Sequence, residues 1–148
     1  MKRKKIIFVC TGNTCRSPMA EALLRERIKK QKIKWWDVRS YGIQADIGGT
    51  VSPNTVAVLC ENGVKFENLA PKQLTQKVIS SATLVITMTE NQKKLLEDCG
   101  NVKCIKDFYG CDVPDPYGAD IAAYRETYRV LNAACKNIVN DFILNYKD

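Results

Sequence analysis

Short apolar segments alternate with longer amphipathic segments along this chain. Four short segments are rich in β-branched and other apolar residues and are bounded by polar or turn-forming residues. This pattern predicts strands at Lys5–Cys10, Lys34–Tyr41, Thr83–Met88 and Val102–Ile105. Val64–Phe66 is a shorter candidate strand.

The segments between these strands have apolar residues three and four positions apart, which is typical of helices with one buried face. Start and stop signals add to the pattern, such as the Ser52-Pro53 pair that begins one helix with a predicted cap and the Asn62-Gly63 pair that ends it. Helices are predicted at Pro18–Gln31, from Pro53 to Asn62, at Thr75–Ser80, from Thr89 to a point before Gly100, and from Ile121 to Phe142. Tyr109–Gly118 contains Gly, Pro and Asp and is predicted to be a loop.

The alternation of strands and helices indicates an α/β fold. We expect an open parallel sheet of about four strands with helices on both faces, which makes three layers. The 148 residues are a natural length for a single domain spanning residues 1–148. In sheets of this kind, ligands bind beyond the carboxyl ends of the strands.

Composition narrows the class of protein further. Seven cysteines, an odd number, argue against a disulfide framework and favour a reduced, cytoplasmic protein. The basic N-terminus is not followed by a signal-like apolar segment, and no apolar stretch reaches membrane-spanning length, so no membrane partner is expected. No metal-ligand cluster is visible, so we expect neither metal nor cofactor.

The net charge of +7 has two interpretations. It attracts phosphorylated or acidic partners and speeds their encounter, or it reflects solvated lysines on helices and at the N-terminus, which we favour for most of them. No nucleic-acid-binding motif accompanies the charge, so no nucleic-acid partner is expected. We expect a monomer.

The most informative segment follows the first predicted strand and reads Cys10-Thr-Gly-Asn-Thr-Cys-Arg16-Ser17-Pro18. Converging backbone N–H groups and a helix N-terminus bind phosphate, and an arginine fork grips two of its oxygens. The same positive field favours the thiolate form of a cysteine at the base of the loop. This matters because the chain has no histidine to deprotonate Cys10. The blander interpretation is a core cysteine followed by a turn.

Several residues of this loop suit the task. Gly12 and Asn13 tolerate left-handed backbone angles. Ser17 donates a hydrogen bond to the Cys10 sulfur, or caps the following helix, or does both. Pro18 fits the first position of that helix.

Cys10, Arg16, Ser17 and Pro18 form the pattern Cys-x5-Arg-Ser-Pro, and Asp115-Pro116 lies far downstream. The two elements closely resemble the low-molecular-weight protein tyrosine phosphatase family. The resemblance implies a cysteine-dependent phosphatase of phosphorylated proteins that works through a phosphocysteine. Cys10 would be the nucleophile, Arg16 the phosphate clamp and Asp115 the general acid. On its own, Asp115-Pro116 would be read as a turn.

The resemblance also implies supporting positions. Asn13 would fix the loop by a hydrogen bond with Ser40, and Ser17 would support the thiolate. Binding of phosphate or substrate would involve Thr11, Gly12, Asn13, Thr14, Cys15, Ser17 and Tyr117. Two positions depart from the family pattern. Leu69 stands where many members have a loop-supporting histidine, and Gly118 stands where many tyrosine-specific members have a second aromatic residue.

Thr14 bears on the substrate. Tyrosine-specific relatives usually have a branched apolar residue there, whereas a bacterial subgroup that dephosphorylates protein arginine has threonine and the same residues from Cys10 to Glu21. A small polar side chain leaves room for a guanidinium edge, whereas a bulky apolar one suits a phenyl ring. We therefore predict phosphoarginine as the substrate, with phosphotyrosine as the alternative.

Cys15 lies five residues from Cys10, close enough in a tight loop for a reversible disulfide. Related phosphatases are shielded from overoxidation in this way; otherwise Cys15 is simply a small packed residue. Two rival functions are weaker. Arsenate reductases of this fold need a redox pair, but Cys104 looks like a strand residue and no cysteine follows Thr83–Met88 directly. A non-catalytic phosphate-binding module would gain nothing from Asp115.

Overall fold

A computed structural model describes residues 2–67, 70–96 and 100–147 of the protein. Its four strands are β1 (Lys4–Cys10), β2 (Trp36–Gly42), β3 (Leu84–Thr87) and β4 (Val102–Cys104). They form one parallel sheet in the order β2-β1-β3-β4. The predicted α/β architecture is confirmed, with each strand within two residues of its expected limits.

The helices alternate with these strands. They are α1 (Arg16–Lys30), α2 (Pro53–Glu61), α3 (Gln76–Ser81), α4 (Glu90–Lys94), α5 (Lys106–Tyr109) and α6 (Ile121–Ile138). A π-helical turn, Val139–Ile143, continues α6. Among the described residues, no helix combines the length and the apolar character needed to cross a membrane.

Alternate residues of β1 enter two separate cores. Ile6 and Phe8 pack with apolar residues of α1, α2 and α6, whereas Ile7 and Val9 pack with Leu74 and with α3. All four of these β1 side chains are fully buried. A strand buried on both faces needs a continuous apolar run, which is why this segment is the clearest strand signal in the chain.

The start of α1 differs from the prediction. The helix begins at Arg16, with Cys15 at the cap position and no side-chain cap. Ser17 is therefore the second helical residue, and the prediction that it caps the helix was wrong. Pro18 is the third helical residue and not the first, which costs no hydrogen bond because N–H groups of the first turn lack intrahelical acceptors.

Two other local predictions were wrong. Val64–Phe66 forms no strand: Val64 and Phe66 pack against the main core, but the segment pairs with none of the four strands. Ser52 stands at the cap position of α2, but its hydroxyl donates to the Tyr124 hydroxyl instead of accepting from the helix. The predicted loop Tyr109–Gly118 is confirmed except at Tyr109, which is the last residue of α5, a short helix that was not predicted.

Candidate active site

The loop of residues 11–15 leaves the carboxyl end of β1, between the neighbouring strands β2 and β3. Cys10 is the last residue of β1, and Arg16 is the first residue of α1. The loop therefore lies at the crevice outside the carboxyl end of β1, between its two neighbouring strands. Ligands usually bind at this position in open α/β sheets. We call residues 10–17 the cradle.

Asn13 organises the cradle from within. Its backbone is left-handed, with φ of 60°, and its side chain is only 2% exposed. The amide nitrogen donates to Ser17 Oγ at 2.8 Å and to Ser40 Oγ at 3.0 Å. The amide oxygen accepts from the Lys72 backbone N–H at 2.9 Å. Asn13 thus joins the cradle to β2 and to the segment before α3, while Gly12 does not adopt a positive φ.

The Cys10 sulfur lies 2.9 Å from Ser17 Oγ, and both side chains are buried. Because Ser17 Oγ already accepts from Asn13, its own hydrogen is available for the sulfur. Asn13, Ser17 and Cys10 therefore form a chain of hydrogen bonds in which Ser17 can donate to the Cys10 sulfur.

Arg16 is 5% exposed, and its guanidinium is held at two points. One terminal nitrogen donates to the Val113 carbonyl at 3.0 Å, and the other lies 3.6 Å from Asp115 Oδ2. Within the described part of the chain, Arg16 Nε is buried and has no hydrogen-bond partner. A buried cation with an unpaired donor beside an open cavity fits an anionic ligand.

Asp115 comes from the loop before α6. Its carboxylate is 51% exposed, and Oδ1 accepts from the Tyr117 backbone N–H at 3.1 Å. Val113 anchors this loop, because its N–H donates to the Met88 carbonyl just beyond β3. The loop thus reaches the same edge of the sheet as Cys10.

A cavity of about 360 Å³ collects most of the expected residues. It is lined by Cys10, Thr11, Gly12, Thr14, Cys15, Arg16, Asp46, Asp115 and Tyr117. Asn13, Ser17 and Ser40 lie behind its wall as buried supports. Leu69, which replaces the family's usual histidine, lies outside the described residues.

Gly42 is a supporting residue that the sequence analysis did not identify. It pairs with Cys10 across β1 and β2. A Cβ atom at this position would lie 2.7 Å from the Thr11 carbonyl oxygen and 3.0 Å from the Asn13 nitrogen. Only glycine lets the end of β2 approach the cradle so closely. A glycine at the end of a predicted strand was the available signal.

Cys15 is 4% exposed, and its sulfur lies 3.4 Å from the Tyr124 hydroxyl of α6. Ser52 donates to that same hydroxyl at 3.1 Å. Burial, followed by the hydrogen bond with Cys15, raises the pKa of Tyr124. Tyr124 lies in the core and also links the cradle to α6 and to the start of α2.

The arsenate-reductase alternative needs a redox pair of cysteines, and Cys104 and Cys111 bear on it. Cys104 ends β4, as the sequence indicated, and is fully buried. Burial raises the pKa of its thiol to about 11, and the sulfur contacts Asp112. Such a thiol is inert, because the thiolate is the reactive form. Cys111 is exposed.

The described residues contain no group of three or more Cys, Asp or Glu side chains placed to hold a metal ion. The groups available for chemistry in the cavity are two thiols, a guanidinium, carboxylates and hydroxyls. Together they can bind a phosphate, attack it and transfer a proton.

Residues 5–145 match the family described as low molecular weight phosphotyrosine protein phosphatase. The chain is 37% identical over 131 residues to a protein-arginine-phosphatase of Bacillus subtilis, covering 82% of this chain and 85% of the relative. It is 35% identical over 133 residues to the low molecular weight protein-tyrosine-phosphatase PtpB of Staphylococcus haemolyticus, covering 86% and 91%.

A crystal structure of a YwlE mutant from Bacillus subtilis superimposes with a TM-score of 0.86 at 33% identity, covering 95% of this chain and 99% of that one. The chain therefore belongs to the low-molecular-weight protein phosphatase family and is a cysteine-based protein phosphatase. The two relatives carry different substrate names, so family membership by itself gives phosphorylated proteins as the substrate class.

Proposed function

We propose that this phosphatase removes phosphate from arginine side chains of proteins through a phosphocysteine on Cys10. The supporting observation is the juxtaposition of a serine-bonded thiol, a buried arginine with an unpaired N–H and a half-exposed carboxylate around one cavity. A nucleophile, an anion clamp and an acid in that arrangement suit in-line phosphoryl transfer.

In the first step, the Cys10 thiolate attacks phosphorus, and the phosphorus–nitrogen bond to the substrate guanidine breaks. Asp115 in its acid form gives a proton to the departing nitrogen, which keeps the electron pair of the broken bond. The arginine side chain therefore leaves as a guanidinium, and Asp115 becomes a carboxylate. Arg16 and the N–H groups of the cradle hold the equatorial oxygens, where negative charge must be stabilised throughout the transfer.

In the second step, Asp115 is a carboxylate and accepts a proton from water. The water oxygen attacks phosphorus, the sulfur–phosphorus bond breaks and inorganic phosphate leaves. The Cys10 sulfur departs as a thiolate. Ser17 lies 2.9 Å from this sulfur and stabilises the charge that returns to it.

The preference for phosphoarginine rests on Thr14, which lines the cavity. Its hydroxyl makes the wall polar at a point where a phenyl ring would prefer apolar contact. The relative named as a protein-arginine-phosphatase supports this preference. Phosphotyrosine is the second candidate, because the exposed Tyr117 ring lines the same cavity and another relative is named as a tyrosine phosphatase.

We also propose a redox role for Cys15 and a cytoplasmic location for the enzyme. Under oxidation, Cys15 forms a reversible disulfide with Cys10. The position of both cysteines at one cavity supports this disulfide. The enzyme works in the cytoplasm, supported by free thiols at Cys10, Cys15, Cys60, Cys104, Cys111 and Cys135. Mass spectrometry after mild peroxide treatment tests the disulfide, and Cys10 found only as sulfinic acid would count against it.

The substrate is tested by measuring kcat/KM for matched phosphoarginine and phosphotyrosine peptides. The wild type should prefer phosphoarginine, and Thr14→Ile should shift the ratio toward phosphotyrosine by about tenfold, since a single pocket side chain changes discrimination by roughly 10–200-fold. Thr14→Ser keeps the hydroxyl and should keep the preference. An unchanged ratio in Thr14→Ile contradicts the role of Thr14, and a wild type that hydrolyses only phosphotyrosine supports the second candidate.

A further inference from the structure

The segment after β2 follows the cradle residue by residue. Backbone N–H groups of Ile43 and Gln44 donate to the carbonyls of Cys10 and Thr11, both at 2.9 Å. The N–H of Asp46 donates to the Gly12 carbonyl at 3.1 Å. The pairing of β1 with β2 therefore continues past the sheet and fixes Asp46 beside Gly12, where it lines the same cavity as Cys10 and Arg16.

The conformation of Asp46 is set by its own turn. Its carbonyl accepts from the Gly49 N–H at 3.0 Å, and its carboxylate lies against Gly49, where a Cβ atom would be 2.4 Å from Oδ2. Within the described ranges, no lysine or arginine forms an ion pair with this carboxylate. Asp46 is thus an exposed anion, held at the mouth of a phosphate-binding cavity and without a cationic partner.

A carboxylate at this place suits some substrates and not others. The cavity wall carries one cation, Arg16, and two carboxylates, Asp46 and Asp115. When the phosphate of the substrate is bound at Arg16, Asp46 faces the part of the substrate to which that phosphate is attached. Like charges repel, so an aryl phosphate gains nothing from Asp46, whereas a phosphoguanidine brings a cation to it.

In the proposed reaction, a second carboxylate has a task that Asp115 cannot perform at the same time. Asp115 must be protonated when the leaving nitrogen departs, so at that moment it cannot also neutralise the guanidinium. We infer that Asp46 is a specificity-determining residue that binds the guanidinium of a phosphoarginine substrate and leaves Asp115 to transfer the proton. This inference rests on the proposed phosphoarginine activity.

The inference is tested with the full-length enzyme and the variant Asp46→Asn. Asparagine keeps the size and turn preference of aspartate and removes only the charge. KM for a phosphoarginine peptide should rise roughly two- to fivefold, the upper part of the range measured for one exposed ion pair. With p-nitrophenyl phosphate, kcat/KM should rise roughly two- to fivefold, because repulsion of the dianion is removed.

Asp141→Asn is the matched control, since Asp141 is exposed in the π-helical turn after α6 and lines none of the cavity. It should change neither substrate. An Asp46→Asn variant with an unaltered KM for phosphoarginine, or with equal losses on both substrates, overturns the role of Asp46 while leaving the phosphoarginine activity standing. A wild type inactive on phosphoarginine but active on p-nitrophenyl phosphate overturns the proposed substrate, and the inference with it.

Discussion

The cradle and the loop that carries Asp115 face each other across one cavity, but they are held in different ways. Cys10, Asn13 and Arg16 are nearly completely buried. The cradle donates a hydrogen bond to Ser40 of β2 and accepts others from the segment after β2 and from Lys72. The Asp115 loop is anchored at Val113 and then becomes exposed, with Tyr117 75% accessible.

The contrast between the cradle and the Asp115 loop follows from what each of them does in the proposed reaction. A nucleophile and an anion clamp act by fixed geometry, and a displacement of 1 Å costs about a hundredfold in rate. An acid that later serves as a base must contact both the leaving group and water, which a half-exposed carboxylate can do. We therefore expect changes in the cradle to impair all turnover and changes in the acid loop to impair mainly substrates with poor leaving groups.

The largest effect is expected for Cys10→Ser. Serine lacks an ionised form at neutral pH and has no neighbouring base, so kcat should fall by at least ~10⁴-fold. Inorganic phosphate binding, measured by calorimetry, should persist because Arg16 and the loop backbone are unchanged. Cys60→Ser, at an exposed position on α2, is the control and should retain full activity. Substantial turnover by Cys10→Ser would remove Cys10 as the nucleophile.

Asp115→Asn should have the next largest effect, and it tests the role of the Asp115 loop. Loss of a general acid lowers kcat/KM by about 10²–10³-fold for a poor leaving group. The loss should be much smaller for p-nitrophenyl phosphate, whose leaving group needs little protonation. Measurements across a series of aryl phosphates check this difference. Equal losses across the series would show that Asp115 acts only through its contact with Arg16.

Gly42→Ala tests whether the tight enclosure of the cradle matters. The added Cβ would meet the Thr11 carbonyl at 2.7 Å, so the loop backbone has to move. Such overpacking costs roughly 1–3 kcal/mol of stability. We expect kcat to fall by about tenfold or more as well.

Gly63→Ala is the control for Gly42→Ala. Gly63 has a φ of +69° and open space around it, so alanine there should cost roughly 1 kcal/mol of stability and no activity. Urea unfolding and initial rates measured on both variants separate the two effects. A Gly42→Ala enzyme that loses stability but keeps kcat would contradict the claim that the cradle tolerates no displacement.

The smallest expected effect concerns Glu21, on α1 one turn after Ser17 and fully buried. Burial raises the pKa of Glu21 above its ordinary value of 4.5, although Ser40 and Arg25 oppose the shift. A raised pKa means that the folded state keeps a proton that the unfolded state has lost. Wild-type stability therefore falls as pH rises from 4.5 through the folded pKa.

Glu21→Gln lacks this titration. As pH rises from 4.5 through the folded pKa of Glu21, the free energy of unfolding of Glu21→Gln should increase relative to that of the wild type. Urea unfolding between pH 4.5 and 8 measures this difference. Glu61→Gln gives the opposite sign, because a hydrogen bond from Arg125 lowers the pKa of Glu61 and the resulting stability is lost as pH falls below 4.5. A difference for Glu21→Gln that does not change with pH contradicts the raised pKa.

The sequence predicted the parts of the fold that depend on local pattern. β1 was clear because it is buried on both faces, and the loop after it could be read because its residues are adjacent in the chain. Asp115 was identified by the resemblance of Asp115-Pro116 to the family's second element, since the pair on its own would have been read as a turn. The roles assigned to Cys10, Arg16 and Asp115 stay predictions until the variants are measured.

Other features depend on distant contacts and were missed for that reason. The position of Asp46 follows from the pairing of the segment after β2 with the cradle, and the constraint on Gly42 follows from the Cys10–Gly42 register. Neither register can be read from one segment alone. Ser52 has the local signature of a helix cap, but Tyr124, from a helix far along the chain, takes its hydroxyl.

The central claim is that phosphate passes through a covalent bond to Cys10. Rapid acid quenching of Asp115→Asn during turnover of p-nitrophenyl phosphate tests it most directly, because loss of the base slows hydrolysis of the intermediate. Peptide mass analysis should find the mass of one phosphoryl group on the peptide that holds Cys10, and none after Cys10→Ala is added to the variant, since alanine has no atom that can accept the phosphoryl group. A phosphoryl group on another residue, or steady turnover with no labelled peptide at any quench time, would contradict the account.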